Sequence, residues 1–333
     1  MAVAIGSSIA ASQYNGLQGR IATVLGTGSG NFGYGQAVSS SQVVSAADTI
    51  SAAQMSNLHS DMTKAYVHQT GSLLPLRVFQ VGDIIGADDS GDTIEYDNLG
   101  NYEIKDGVEV ADNTGGFNDY LDQMDVIENN RFTIDPGQSE EADLATNTRT
   151  TNWNSVVNMS FTATFASENN RRYFFNSGGQ IRIQLALTSG SGDKDANWAS
   201  ILSNPGLILF GYNYNTVTGS TTGVTLSGNG AADFPLSLPP GSTWNQIFVK
   251  NGNSGVYAEN RWTVEVREIT HLQFEFRIIL EDNDVGDQQN DPIIDPAVDE
   301  FITGDITATI STRRSINQVV VTNPSIAITN TFE

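Results

Sequence analysis

The sequence contains no cysteine, and among its 333 residues there are only three histidines, 9 prolines and 16 basic residues. Each shortage removes a class of chemistry. Without thiols there are neither disulfides nor thiolate metal sites, so the fold is indifferent to the redox state of its surroundings. His59, His68 and His271 leave little material for acid–base or nucleophilic catalysis. The 38 acidic residues bring the formal charge to −22, which repels a phosphate backbone and an anionic membrane surface. Nucleic acid is therefore not an expected partner. No run approaches the roughly 18 apolar residues of a membrane helix. The start, Met1-Ala-Val-Ala-Ile-Gly-Ser-Ser8, has neither a basic n-region nor a continuous apolar h-region, so neither membrane insertion nor a secretory leader is expected. Composition leans toward a structural or binding protein, and no enzyme is expected.

What the chain does contain is unevenly placed. Residues 1–75 are neutral, residues 76–145 carry −15 and residues 146–333 carry −7, which divides the chain into three segments. In the first, Tyr14, Leu17, Ile21 and Val24/Leu25 recur at three and four residues, as do Met55, Leu58, Met62 and Ala65/Tyr66. Both patterns predict amphipathic helices. Ser12 is the candidate N-cap of the first helix and Gly26 its stop; Ser51 with Gln54 forms a capping box ahead of the second, and Gly71 follows its end. The nonamers that begin at Ile9 and Ile50 share Ile, Ala, Gln and Leu, an internal repeat with an offset of 41 residues. Neither copy can bury its stripe alone, so the two pack on each other or on a neighbouring chain. Tyr14, Leu17, Ile21, Met55, Leu58 and Met62 are accordingly the candidate oligomer or docking interface.

The middle segment reads as loop-rich, with strand-like pieces at Val78–Val81 and Ile84–Ile85 and turn clusters at Asp88–Gly91 and Asp97–Gly100. Near its end, Asn118 is the expected cap of a short helix carrying Leu121, Met124 and Ile127. From about residue 150 the period changes to two. Met159, Phe161, Ala163 and Phe165 alternate with polar residues, as do Ile181 to Leu187, Trp262 to Val266, Leu272 to Leu280, Ile306 to Ile310, and Ile326 with Ile328. Many alternating strands with no helix read between them predict an antiparallel, jelly-roll-like β-sandwich. The expected class is α+β: a small N-terminal helical pair (1–75), an acidic loop-rich middle (76–145) and a C-terminal antiparallel β-sandwich (146–333).

Few motifs carry chemistry. Gly28-Ser-Gly-Asn-Phe-Gly33 spells GxGxxG with Asp48 some way beyond, but a helix precedes it and a Ser-rich stretch follows, the reverse of a dinucleotide site. A helix-to-helix connector is expected instead. Asp282, Asp284, Asp287 and Asp291 lie in a stretch without Lys or Arg, and Asp88, Asp89 and Asp92 in another. Such carboxylates suit calcium, although EF-hand spacing is absent because the glycine falls at Gly286; a solvated acidic loop that keeps a sheet edge soluble is the preferred reading. No other cofactor is expected. His271 is placed in a strand with Gln273, Glu275 and Arg277 on its polar face, a surface or inter-subunit ladder rather than a general base. His59 and His68 are too far apart to share a metal on one helical face. Arg171-Arg-Tyr-Phe-Phe175 is flanked by Asn and Gly and is expected to enter a hairpin turn, its aromatics in the core and its arginines on acidic loops.

Several of these segments together have a familiar look. Ala11-Ser-Gln-Tyr-Asn-Gly-Leu-Gln-Gly-Arg-Ile-Ala-Thr-Val-Leu-Gly-Thr-Gly-Ser-Gly30, Gly33-Tyr-Gly-Gln36, Asn57-Leu58 and His68-Gln-Thr-Gly71 resemble the start of virion structural proteins from tailed phages of marine bacteria and cyanobacteria. Arg171-Arg-Tyr-Phe-Phe-Asn-Ser-Gly-Gly-Gln-Ile181 is similar to a segment of their β part. The resemblance implies a non-enzymatic building block of the particle, of its tail, neck or fibre apparatus. Such a protein self-assembles, a trimer being favoured, docks on other virion proteins, and reaches the virion after assembly in the host cytoplasm. The alternatives are a capsid decoration protein and a receptor- or carbohydrate-binding adhesin module. The adhesin would meet a host surface glycan through Trp198, Tyr212, Tyr214, Trp244 or Tyr257.

Overall fold

The computed structural model describes residues 9–28, 32–42, 48–79, 94–96, 102–104, 116–227, 243–252, 257–283 and 301–333. The chain divides into two compact units, Met1–Ser139 with Ser315–Val321, and Glu140–Arg314 with Thr322–Glu333. It is α+β: among the described residues there are five α-helices, and two antiparallel sheets that hold eleven of the strands. The division falls at residue 139, against expected boundaries near residues 75 and 145.

The N-terminal unit is built on helices α1 (Ala11–Leu25), α2 (Ala52–Thr70) and α3 (Phe117–Asn129). The repeat proves to be a helix start used twice. Gln13 accepts from the Ala10 N–H and Gln54 from the Ser51 N–H, each at 2.8 Å, so the shared glutamine folds back on the N-cap in both copies. Ser51 completes its box by accepting from the Gln54 N–H at 3.3 Å, whereas α1 begins at Ala10 rather than at the expected Ser12. At the other end of α2, Gly71 adopts φ 71°, a left-handed stop where an added Cβ would lie 2.7 Å from the Asp135 carboxyl carbon.

Three helices, not two, close this core. Tyr14, Leu17, Ile21, Met55, Leu58 and Met62 are all buried within the single chain, facing Phe117, Tyr120, Met124 and Ile127 of α3. The expected interface between chains is thus an interior, because α3 supplies the third apolar stripe that a pair would have sought elsewhere. Each large apolar side chain so buried contributes about 1.5–3 kcal/mol. The α3 helix begins two residues earlier than Asn118 suggested: Gly116 is the N-cap, and Asp119 accepts its N–H at 2.6 Å. Arg20 on α1 pairs with Glu128 at 2.7 Å and with Asp125 on α3. Strands β1 (Ile94–Tyr96) and β2 (Tyr102–Ile104) form a separate antiparallel hairpin.

Residues 315–321, which follow the twelfth strand, complete the same unit. Ile316 N–H reaches Gln138 O at 3.1 Å, Asn317 Nδ2 reaches Gly137 O at 2.9 Å, and Gln36 Nε2 reaches Val320 O at 3.1 Å. Val319 is fully buried there.

The C-terminal unit contains β3 (Ser139–Arg149), β4 (Val156–Thr164), α4 (Glu168–Asn176), β5 (Gln180–Thr188), α5 (Asp193–Ser203), β6 (Ile208–Phe210), β7 (Asn215–Val217), β8 (Val224–Leu226), β9 (Asn245–Asn251), β10 (Arg261–Thr270), β11 (Gln273–Glu281), β12 (Asp305–Ser315) and β13 (Ser325–Asn330). One sheet runs β13-β4-β11-β10-β9-β8 and the other β3-β12-β5-β6-β7. Late strands lie between early ones, β12 between β3 and β5 and β11 beside β4, which is the interleaving of a jelly-roll-like wrap. Inward residues follow the predicted alternation: Phe161 opposes Phe276, Ala163 opposes Phe274, and Ile310 opposes Ile183. Phe210 of one sheet meets Phe274 and Phe276 of the other edge-on, at 5.5 and 5.2 Å, and Phe165, Phe174 and Phe175 fill the same core.

Two helices stand where none was expected. Arg171–Phe175 lies in α4, not in a hairpin turn, because Ser167 caps it by accepting from Asn170 N–H at 3.0 Å and Phe174 and Phe175 then point inward. The α5 helix, between β5 and β6, packs Trp198, Ile201 and Leu202.

Candidate functional site

The densest buried chemistry among the described residues gathers at the start of α5. Gly192, at φ 122°, turns the chain into the helix, and Lys194 and Asp195 follow in its first turn. Lys194 has a side chain 0% exposed, and its Nζ lies 2.7 Å from Oδ2 of Asp282, which is 2% exposed. Trp198, one turn along, directs its Nε1 at the other oxygen of Asp282, 3.4 Å away, and its ring meets Trp153 at 4.9 Å. Asp195 accepts from the N–H groups of Ser191 at 2.9 Å, Thr303 at 2.9 Å and Gly304 at 3.0 Å, and from Thr303 Oγ1 at 2.6 Å.

These contacts clamp both roots of the acidic stretch. On one side Asp282 N–H reaches Ser155 O at 3.0 Å and Asn283 N–H reaches the buried Asn260 Oδ1 at 2.8 Å. On the other, Trp153 and Ile302 exchange backbone hydrogen bonds of 3.1 and 2.8 Å. Of the candidate calcium ligands, Asp282 is therefore occupied by Lys194 inside the fold, while Asp284, Asp287 and Asp291 lie outside the described residues, as do Asp88, Asp89 and Asp92. Among the described residues no group of three His, Asp or Glu is arranged to hold a metal ion.

A second polar cluster lies on the outer face of β10 and β11. Arg267 pairs with Glu275 at 2.5 Å, Arg277 pairs with Glu265, and Trp244 lies against both guanidiniums at 4.4 and 4.6 Å. The expected ladder of Glu275 and Arg277 is present, but His271 sits in the turn that joins the two strands, its Nδ1 3.0 Å from Glu268. Arg171 runs underneath: it is buried, bonds Glu268 and the His271 carbonyl at 2.9 Å each, and covers the Phe274 ring at 4.1 Å.

The remaining candidates are anchors. His59 Nε2 is 3.1 Å from Leu76 O, and partial burial lowers its pKa below the ordinary value, with the carbonyl opposing the shift. His68 is buried, its Nδ1 3.1 Å from Ser315 Oγ and its ring edge-on to Tyr34 at 5.0 Å. Burial, with the charge of Asp61 added, pushes the Tyr14 hydroxyl up to about 12, and that hydroxyl donates to Gln54 O at 3.1 Å. The glycine-rich stretch after α1 folds back so that Tyr34, Gln36 and Gly35 N–H groups reach Val24, Leu25 and Gly26 carbonyls at 2.8–2.9 Å. It thus caps the negative end of a helix, the end that repels phosphate, and Asp48 is exposed elsewhere. Of the aromatic candidates for a glycan, Trp198 is core, Tyr214 is half-buried and bonded by Gln180 at 2.6 Å, and Trp244 has guanidiniums against its ring; Tyr212 and Tyr257 are partly exposed.

Lys194, Asp195 and Trp153 were not singled out by the sequence. A signal existed for the first two: Gly-Ser-Gly-Asp-Lys-Asp195 leads straight into Trp198, Ile201 and Leu202 at helical spacing. Neither a protein-family model, nor a curated protein, nor a solved structure matches the chain.

Proposed function

We propose that this chain is a non-enzymatic structural protein of a tailed-phage particle, a self-assembling component of its tail, neck or fibre. The observation that supports this reading is what the segments behind the resemblance do. Tyr14, Leu17 and Ile21 form a core, Gly28 and Gly33 turn a chain at φ 70° and 113°, Phe174, Phe175 and Ile181 fill the sandwich, and Arg171 is locked to Glu268. Since the helical stripe is internal, self-assembly on this reading uses β3, β7, β8 and β13, the strands at the sheet edges among the described residues, where one row of backbone groups faces away from the sheet.

The test has two parts. Light scattering of the full chain, with and without calcium, should give a discrete oligomer, a trimer being expected, and mass spectrometry of purified particles of the encoding phage should detect the chain. A monomer at high concentration together with absence from the particles would reject the reading; a monomer that is present in particles would favour a decoration subunit.

A further inference from the structure

Only four lysines occur in the chain, and lysine is almost never fully buried unless paired. Lys194 is fully buried, and its partner Asp282 is nearly so. Two charges in a dry interior gain little from each other against the water they give up. That penalty is smaller for the neutral form of the pair, in which the ammonium proton sits on Oδ2 and an amine faces a carboxylic acid. The pair then holds a nucleophile 2.7 Å from an oxygen of its electrophile, in contact geometry that a bimolecular reaction would have to find by diffusion. Trp198 Nε1, 3.4 Å from Oδ1, stands where negative charge would develop on attack.

We propose that Lys194 and Asp282 are joined by an intramolecular amide bond that the folded chain makes on its own. The Nζ lone pair attacks Cγ of the protonated acid, and the carbonyl electron pair moves onto Oδ1, facing the Trp198 N–H. The nitrogen gives a proton to the Oδ2 hydroxyl. The carbonyl pair re-forms, the Cγ–Oδ2 bond breaks and one water leaves. Amine and acid become amide and water, with no change of oxidation state and no co-reactant. A chain without cysteine would thereby tie α5 to the end of β11 by a link that no reductant opens.

The full-length protein, purified folded and incubated until its mass is constant, is measured intact under denaturing conditions. The expected mass is that of the sequence less one water. Trypsin should fail to cut after Lys194 and should release Ile183–Lys250 joined to Ile278–Arg313. Asp282→Asn should reach the same final mass by losing ammonia, and Lys194→Met should keep its full sequence mass. A folded wild-type protein of full sequence mass, or a water loss that maps to any other residue, overturns the proposal. Because the decisive reading is made on the wild-type chain, failure of a variant to fold does not blur it.

Discussion

Arg171 illustrates how a residue that looks reactive in the sequence becomes structural once its neighbours are known. Its guanidinium is held by a carboxylate, a backbone carbonyl and an aromatic face at the same time. Arg171→Ala should cost about 1.5–3 kcal/mol, since the largely buried Glu268 loses the guanidinium and keeps only His271 Nδ1 at 3.0 Å. The pair replaced by Met and Leu should lose much less. Chemical denaturation followed by tryptophan emission measures both, because Trp153, Trp198, Trp244 and Trp262 all lie in the C-terminal unit. His59 behaves differently. Its pKa is lowered by burial, so the folded state favours the neutral ring, and the unfolded chain binds more protons once pH falls below the ordinary histidine value near 6.5. The stability it contributes is therefore complete above that value and is lost as pH falls toward the folded-state pKa. His59→Gln should flatten this part of the acid dependence of the helical circular dichroism; an unchanged slope would assign the dependence to other groups.

At the scale of elements, sequence patterns succeeded where periodicity and punctuation agreed. The α2 helix shows both: its capping box, its stripe and its glycine stop are all found as read. The β strands were legible because each has one wet and one dry face, which forces alternation. The α4 and α5 helices were missed for a physical reason. Both are short and rich in asparagine, aspartate or serine, so turn-forming composition outweighed Trp198, Ile201 and Leu202 at i, i+3 and i+4 in α5 and the adjacent Phe174 and Phe175 in α4. The role of the α1/α2 stripe was misplaced because α3, with Phe117 and Tyr120 outside the pattern recognised, lies far along the chain. What no local pattern could reveal is the Lys194–Asp282 pair, formed between elements 88 positions apart. The corrected packing changes the outcome of an obvious experiment. Leu17→Asp with Leu58→Asp places two charges in a closed interior and should unfold the N-terminal unit, seen as lost helical dichroism at unchanged tryptophan emission, rather than dissociate an oligomer that keeps its helices.

On the scale of the whole molecule, acidity and division into units are the leading facts. A charge of −22 adds a repulsion between copies of the chain that is strongest at low salt, so any oligomer should strengthen as salt screens it. Light scattering across an ionic-strength series would show mass rising with salt; a falling mass would point instead to contacts between opposite charges.

The excursion of residues 315–321 sets an order of events during synthesis. Ser315, Val319 and their neighbours pack against His68, Gln138 and Gln36, so the helical part of this unit is synthesised well before the piece that completes it. Domains that emerge first usually fold first. Here the N-terminal unit must wait in an incomplete form until residues 315–321 have been made. A product that stops before residue 315 would therefore present an open helical core to quality-control proteases.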